Sequence, residues 1–359
     1  MRWHGQLMFS CIVVCLMMPG LLHVDQEKAY SLTGDKIAGV PVIDALNAAA
    51  LPMGAHQYYF RAGTASNGQP LDVPVLVLRG ASSGKRLLLT AAVHGDELNG
   101  IAVIHQLFSK IAPEDLIGTL IAVPGVNQTG MVANRREFMS SGRGPSTDLN
   151  RIFPGKLNAG TSADRYVGAL WHQAFKNNAD LAVDIHTQTT GSSYPLFVFA
   201  DFKNIKAKAM AFALMPDLIK DDEGQKGTLE TTFMKANIPA VTLEVGGPKA
   251  FDQNLIDRAT AGLMNLMRTH HMLDGPSQSA DTKPFVGTKH TNVPAQEAGT
   301  VHLKVALLDR VEKQQLIAIM VDPFGKETRR YFAPHAGIIL SVATDPLREA
   351  GATLVRILY

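Results

Sequence analysis

The spacing of hydrophobic residues changes between two periods along the first three quarters of the chain. Val73, Val75 and Val77 alternate with other residues, which is typical of a strand, and Pro74 predicts that this strand lies at a sheet edge. From Ile101 to Ile111 the apolar residues recur every three or four positions, which predicts a helix with one buried face. The same patterns predict strands at 120–123, 181–185 and 240–245 and helices at 163–175, 205–215 and 255–272. Strands that alternate with helices predict an α/β fold, with a mostly parallel mixed sheet flanked by helices.

The pattern changes at residues 275–284, which are polar, rich in turn-forming residues and without apolar periodicity. This segment predicts a linker between a larger domain at 30–274 and a small C-terminal all-β domain at 285–359, a barrel or a sandwich. A weak repeat within the second domain favours two similar β units, although apolar matches also arise by chance. The repeated residues are Ala298-Gly299 with Ala336-Gly337, Leu316 with Leu354, and Ile319 with Ile357.

Residues 1–29 have the pattern of a signal peptide or N-terminal anchor. The run from Leu7 to Met18 is nearly all apolar, and Pro19-Gly20 ends it. The run is shorter than the about 20 residues of a membrane span, which favours a cleaved signal and export to the periplasm without stable membrane insertion. An uncleaved anchor is the alternative, because no A-x-A cleavage site follows. Both cysteines, Cys11 and Cys15, lie in this segment, so the mature chain would lack a disulfide framework and a cysteine nucleophile.

Composition places the chain among globular proteins. Its 359 residues are 46% hydrophobic and 18% charged, which is enough to bury a large core. Lysine and arginine total 34 against 32 aspartates and glutamates, and the basic residues form no long block. This balance excludes the electrostatic footprint of a nucleic-acid-binding protein.

Polar side chains stand where three of the apolar runs end. His94 and Glu97 follow the run that starts at Leu87, His186 ends the strand at 181–185, and Glu244 lies inside the strand at 240–245. The carboxyl ends of parallel strands meet at one edge of a sheet, so these side chains can converge. Two imidazoles and one carboxylate leave a fourth position for water, which is the arrangement of a catalytic zinc site.

Each of these residues also has a structural interpretation. His94 could bond to the backbone at a strand end, Glu97 could favour the N-terminus of the following helix, and His186 could be a hydrogen-bonded core histidine. Glu244 is harder to explain in this way. A carboxylate among valine and leucine is costly to bury without a partner, so it is either paired or faces a site.

A turn-rich loop from 143 to 155 carries further candidates. Arg143 and Arg151 would be solvated if the loop were only structural, and Asn150 would be a turn former. Alternatively, Asn150 and Arg151 present donors that match a carboxylate. Two arginines beside a metal ion would make the site attractive to anions.

Four ordered motifs give the sequence a family resemblance. Residues 70–275 resemble the succinylglutamate desuccinylase and aspartoacylase branch of the zinc carboxypeptidase superfamily, whose members carry a trailing β domain. The motifs are His94-Gly-Asp-Glu97, Asp148-Leu-Asn-Arg151, Asp184-Ile-His186 and Leu243-Glu-Val-Gly246. The resemblance implies that the domain at 30–274 is a zinc-dependent hydrolase.

The resemblance also implies a role for each matched residue. One Zn²⁺ per chain would be bound by His94, Glu97 and His186. The remaining roles are the general base at Glu244, the oxyanion-stabilising arginine at Arg143, the substrate-carboxylate pair at Asn150 and Arg151, and the aspartate that orients the first zinc histidine at Asp148.

Two departures from the family pattern affect the expected substrate. Aspartoacylases have a basic residue about ten positions before the general base, where this chain has Met234, so an acidic substrate side chain is not expected. The signal-like start is the second departure, because the catabolic enzymes of this branch are cytoplasmic.

The sequence thus predicts zinc-dependent hydrolysis of an amide bond next to a free carboxylate, in an N-acyl amino acid or a short peptide. The first alternative is a periplasmic metallocarboxypeptidase that trims cell-wall or other peptides. The second is a non-catalytic protein that binds carboxylates, against which Glu244 argues, because a site used only for binding does not need a buried base. The oligomeric state is left open.

Overall fold

The computed structural model of the chain describes residues 28–139, 146–280 and 282–359. Residues 1–27 of the signal-like segment, with both cysteines, and the candidate Arg143 lie outside these described residues. In the described ranges, no helix combines the length and the hydropathy needed to cross a membrane.

Strands lie at both ends of the described part of the chain, and the helices lie between them. The first strands are β1 (Tyr30–Ile37), β2 (Val40–Leu46), β3 (Gly54–Thr64), β4 (Pro70–Arg79), β5 (Ser82–Ala91), β6 (Ile117–Val123) and β7 (Leu181–His186). They are followed by β8 (Ser192–Ser193), β9 (Leu196–Ala200), β10 (Leu218–Asp221), β11 (Ala240–Val245), β12 (Phe285–Gly287) and β13 (His290–Pro294). The last strands are β14 (Gly299–Leu303), β15 (Arg310–Val311), β16 (Leu316–Val321), β17 (Glu327–Phe332), β18 (Gly337–Ala343), β19 (Leu347–Arg348) and β20 (Thr353–Leu358). The α-helices are α1 (Asn99–Ser109), α2 (Gln128–Val132), α3 (Ser162–Ala169), α4 (Ile205–Ala213), α5 (Leu229–Lys235) and α6 (Gln253–Thr269).

Eleven strands form one large mixed sheet, in the order β1-β2-β3-β4-β6-β5-β7-β11-β9-β10-β12. The centre of the sheet is parallel. β5 pairs in parallel with β6 and with β7, and β7 pairs in parallel with β11. The antiparallel pairs of β4 with β6 and of β9 with β11 lie on either side of this centre. The predicted mostly parallel mixed sheet is therefore confirmed in its central strands.

The central strands are apolar because helices cover both faces of the sheet. Leu87 and Leu89 of β5 pack in the same core as α1, α4 and α6. Leu88, which points to the opposite face, packs in a second core with Tyr166 of α3 and Phe233 of α5. A strand buried on both faces reads as a continuous apolar run, which is the pattern seen before His94.

One sequence expectation for this sheet is wrong. β4 lies between β3 and β6, so Pro74 does not mark an edge strand. β6 pairs with β4 only from Leu76 to Arg79, beyond the proline. The missing N–H of Pro74 therefore removes no bond of that ladder, and an interior strand tolerates it.

The chain after residue 284 folds into strands joined by turns. β13, β20, β18 and β15 form one sheet, and β17, β16, β14 and β19 form another. The segments related by the weak repeat pair alike, since β14 pairs antiparallel with β16 and β18 pairs antiparallel with β20. However, β12 joins the large sheet beside β10, and β8 pairs with β18. The division into domains at 275–284 stays a prediction, and backbone pairing crosses it.

Candidate active site

The candidate site lies where three adjacent parallel strands end. β7 lies between β5 and β11, and the register places Ala91 beside Ile185 and His186 beside Glu244. His94 and Glu97 follow β5 in the turn that leads to α1. The sheet topology thus brings together residues that are far apart in the sequence, as the strand-end pattern predicted.

The turn after β5 owes its shape to Gly95. A β carbon on this residue would lie 2.2 Å from the backbone carbonyl carbon of Gly130, so only glycine fits. The N–H of Glu97 donates to the carbonyl oxygen of His94 at 3.2 Å. This tight turn places the side chains of His94 and Glu97 on the same side.

The three predicted metal ligands meet in one buried cluster. Nδ1 of His94 lies 2.9 Å from Oε1 of Glu97, and Nδ1 of His186 lies 2.8 Å from Oε2 of Glu97. The two Nδ1 atoms are 3.1 Å apart. One ligand atom from each of the three residues can be chosen so that all lie within 4.8 Å of one another. His94, Glu97 and His186 can therefore hold a metal ion.

The chemistry of the donor set supports this fit. In this cluster two imidazole nitrogens face each other and a carboxylate. Their lone pairs repel unless a proton or a metal ion between them supplies a positive charge. Burial disfavours a charged His186, yet the carboxylates of Asp184 and Glu97 raise its pKa well above the usual value. Burial likewise opposes a charged Glu97, but His94 and His186 outweigh it and lower the pKa of that carboxyl. The cluster is thus arranged to stabilise a cation.

Two aspartates orient the histidines from behind. Nε2 of His94 lies 3.1 Å from Oδ1 of Asp148, as the family resemblance implies. Nε2 of His186 lies 2.7 Å from Oδ2 of Asp184, and the hydroxyl of Thr90 donates to the other oxygen of Asp184 at 2.7 Å. These contacts leave Nδ1 of both histidines facing the candidate metal position.

Asp184 was given no role by the sequence argument, although a signal was present. Residues i and i+2 of a strand point to the same face, so Asp184 and His186 share one face of β7. A carboxylate two residues before a histidine at a strand end is placed to bond its far nitrogen.

Glu244 lies beside this cluster on β11 and lines the same cavity. Within the described part of the chain, its Oε2 is buried and has no hydrogen-bond partner. Burial raises the pKa of Glu244 well above its ordinary value of 4.5. A carboxyl with a pKa shifted toward neutrality, next to a metal site, is suited to accept and return a proton.

Asn150 and Arg151 also line the cavity. The side-chain oxygen of Asn150 accepts a hydrogen bond from the N–H of Leu229 at 2.8 Å, and its nitrogen lies 3.4 Å from Nε2 of His186. Nη1 of Arg151 donates to the carbonyl oxygen of Asn150 at 2.7 Å. Both predicted carboxylate-binding residues are therefore close to the metal ligands. The role of Arg143 stays a prediction, since that residue lies outside the described ranges.

The cavity has a volume of about 430 Å³ and contains residues that the sequence argument missed. Arg136 donates to Oε1 of Glu97 at 2.9 Å and to Oδ2 of Asp148 at 3.4 Å. Arg356 of β20 donates to the side-chain oxygen of Asn292 at 2.8 Å and also bonds the hydroxyl of Tyr194. Arg136 lies on a loop without periodicity, and Arg356 reaches the cavity only through tertiary pairing, so neither gave a signal.

The structure corrects the position assigned to Met234. This side chain packs between the two main cores, and its sulfur accepts from the N–H of Ala240 at 3.4 Å. It is not among the residues that line the cavity. Glu230, one helical turn earlier in α5, lines the cavity instead. Glu230 therefore contributes a polar group to the cavity wall where Met234 does not.

Comparison with known proteins places this geometry in a family. Residues 83–270 match the succinylglutamate desuccinylase/aspartoacylase catalytic domain, and the chain belongs to that family. The N-alpha-acetyl-L-2,4-diaminobutyric acid deacetylase of Halomonas elongata is 25% identical over 262 residues, which are 70% of this chain and 74% of that one. A succinylglutamate desuccinylase of Pseudomonas aeruginosa is 25% identical over 221 residues, 58% of this chain and 63% of that one. These relatives are deacylases, which supports an enzyme.

Solved structures show the same fold. The product-bound ectoine utilization protein EutE (DoeB) of Ruegeria pomeroyi matches with a TM-score of 0.75 at 24% identity, over 85% of this chain and 95% of that one. A succinylglutamate desuccinylase of Silicibacter sp. TM1040 matches with a TM-score of 0.75 at 23% identity, over 86% of this chain and 96% of that one. At these identities the likeness concerns the fold.

Proposed function

We propose that the protein is a zinc-dependent hydrolase that removes the acyl group from the α-nitrogen of an amino acid whose carboxylate is free. The observation that carries the proposal is Glu244, a buried carboxyl without a described partner, directly beside the cluster of His94, Glu97 and His186. Membership of a deacylase family supports the class of reaction.

Zinc is the metal that the donor set favours. Two histidine nitrogens and one carboxylate oxygen are a common ligand set of catalytic zinc, with one ion per chain. When bound, such an ion would polarise the scissile carbonyl and make a neighbouring water more acidic. Asp148 and Asp184 hold the rings of His94 and His186 in the orientation that this requires.

The chain's own residues carry the proton. In the proposed reaction Glu244 takes a proton from the attacking water, which adds to the amide carbon. Glu244 then returns the proton to the leaving nitrogen as the C–N bond breaks, so the first products are a carboxylic acid and an amine, and transfer of the acid's proton to the amine leaves a carboxylate and an ammonium group. A raised pKa favours both steps, because the group must accept and release the proton near neutral pH.

Cationic and amide groups around Glu244 would bind the charges of the substrate. We assign the substrate carboxylate to Asn150 and Arg151, which lie beside the cluster. Stabilisation of the developing oxyanion is assigned to Arg143, following the family resemblance. Losing one oxyanion donor typically costs about 2.7 to 4 kcal/mol of transition-state stabilisation.

A periplasmic metallocarboxypeptidase is the second candidate, and the signal-like segment at 1–29 is the observation that favours it. The proposed chemistry would be the same, with the peptide as the acyl part and the C-terminal amino acid as the leaving amine. A non-catalytic carboxylate-binding protein is a third candidate of another class. Export of the chain is part of our proposal for either enzyme, and sequencing the mature N-terminus of the secreted protein tests it.

A substrate screen tests the proposed function. The purified, zinc-loaded protein is assayed with N-acetyl amino acids, N-succinyl amino acids and dipeptides, each with a free or an amidated α-carboxylate. We expect hydrolysis of N-acyl amino acids, with a much higher KM when the carboxylate is amidated. Faster cleavage of dipeptides would favour the carboxypeptidase. Zinc and ligand binding without hydrolysis of any amide would favour the binding protein.

A further inference from the structure

Glu230 is a buried carboxylate in the wall of the candidate active-site cavity. It lies in the first turn of α5, which begins after Thr228, and only 5% of the residue is exposed. Oε2 of Glu230 accepts a hydrogen bond from the hydroxyl of Thr242 at 2.7 Å. Thr242 and Glu244 are two positions apart on β11 and therefore face the same side of the sheet. Glu230 thus shares a wall of the cavity with the proposed base.

Glu230 has no cationic partner among the residues that the structure describes. The basic residues that line the cavity bond elsewhere, as Lys220 pairs with Asp222 and Arg136 with Glu97. Burial raises the pKa of Glu230 to about 8, and the charge of Asp222 adds to this shift. A buried carboxyl group that lines a cavity and has no ion-pair partner is a binding group for a cation supplied by the ligand, whose charge would favour the ionised form of the carboxyl.

The neighbouring contacts place Glu230 beside the proposed carboxylate-binding residues. The N–H of Leu229 donates to the side chain of Asn150 at 2.8 Å, so Asn150 is fixed to the residue just before Glu230. The side chain of a bound amino acid leaves from the carbon next to its carboxylate. A substrate held by Asn150 can therefore extend its side chain along the wall that Glu230 lines.

We infer that Glu230 makes the enzyme selective for substrates whose amino-acid side chain carries a positive charge. The inference rests on the proposed deacylase function and adds the class of amino acid, a diamino acid acylated on its α-nitrogen. An acidic side chain would face the buried carboxyl of Glu230 without an opposite charge to pair with, and it would disfavour ionisation of that carboxyl further. A peptide that ends in a basic residue offers the same chemistry and is the second possible source of the ligand.

The test compares two substrates that differ only in this charge. Nα-acetyl-L-ornithine and Nα-acetyl-L-norleucine have side chains of the same length, with an ammonium group in one and a methyl group in the other. For wild-type protein we expect kcat/KM to favour ornithine by about 100-fold, which equals about 2.8 kcal/mol at 1.4 kcal/mol per factor of ten. Alanyl-ornithine and alanyl-norleucine repeat the comparison for peptides and show which source the site prefers.

Two variants separate Glu230 from general effects of a lost charge. Glu230→Gln keeps the size and an acceptor for Thr242, and we expect the ornithine preference to disappear. Glu223→Gln is the matched control, because Glu223 is exposed, pairs with Lys203 and does not line the cavity. Its substrate ratio should equal that of wild type.

Equal kcat/KM for the two acetylated substrates in the wild type would overturn the inference while leaving the deacylase proposal intact. If no acylated substrate or peptide is hydrolysed, the proposed function fails, and calorimetry of the zinc-loaded protein with L-ornithine and L-norleucine still tests Glu230. Tighter binding of ornithine, lost in Glu230→Gln, would support its role as a cation-binding residue. Equal affinities would overturn that role, whether or not the variant folds.

Discussion

Replacing Glu230 with glutamine is expected to change the way in which the stability of the protein depends on pH. The carboxyl group is almost completely buried, and burial raises its pKa from 4.5 to about 8 in the folded protein. The folded state therefore holds this proton more tightly than the unfolded chain does. The protonated group contributes its full stabilisation below about pH 4.5, and this contribution is lost as the pH rises through about 8.

The size of the effect follows from the shift. At 1.36 kcal/mol per pKa unit, the difference between 4.5 and about 8 corresponds to about 5 kcal/mol in total. About 3 to 4 kcal/mol of this falls between pH 5 and pH 8, because the group is only half ionised at the upper end. A glutamine has the same shape and does not titrate, so it removes this pH dependence.

Urea unfolding of the metal-free protein across this pH range measures the effect. The free energy of unfolding of wild type minus that of Glu230→Gln should fall by about 3 to 4 kcal/mol from pH 5 to pH 8. Buried groups that do not interact with Glu230 contribute equally in both proteins and cancel in the difference. Glu223→Gln, at an exposed position, should run parallel to wild type. Parallel curves for Glu230→Gln and wild type would refute the reasoning, since they would mean that Glu230 is solvated.

Three further substitutions test the metal site and the base. His186→Ala should reduce bound zinc well below one ion per chain by elemental analysis, whereas His302→Ala, at an exposed position, should keep it; full occupancy in His186→Ala would exclude this ligand. Asp184→Asn should weaken zinc affinity about 10- to 100-fold in a chelator competition, because the carboxylate of Asp184 orients His186. Unchanged affinity would mean that this contact does not contribute to metal binding. Glu244→Gln should keep zinc but lower kcat by about 10²- to 10⁴-fold, and a variant with most of its turnover would place the base elsewhere.

The alternation of apolar patterns determined much of the large sheet and its helices. The predicted strand at 240–245 coincides with β11, and the predicted helix at 205–215 covers α4. Such segments are predictable because the apolar residues that each one buries recur at a regular spacing within the segment itself. β1 is mostly exposed and polar, and it is stabilised by pairing with β2. Its sequence therefore has no apolar periodicity from which a strand could be predicted.

The sequence also indicated the candidate metal ligands, because each one stands at a strand end in an ordered motif. Parallel pairing of β5, β7 and β11 then brings His94, Glu97 and His186 together, as that pattern predicted. Asp184 was within reach of the same reasoning through the two-residue repeat of a strand.

Only the tertiary structure decided which other side chains line the cavity. A family offset pointed to Met234, but the packing of α5 turns that residue into the core and brings Glu230 to the cavity. Arg356 bonds Tyr194 across 162 positions of the chain, and the pairing of β8 with β18 joins the same two distant parts of the chain. The physical reason is that the spacing of apolar residues in a helix or strand shows which of its faces is buried. Which residues its polar side chains meet depends on contacts between segments that are distant in the sequence.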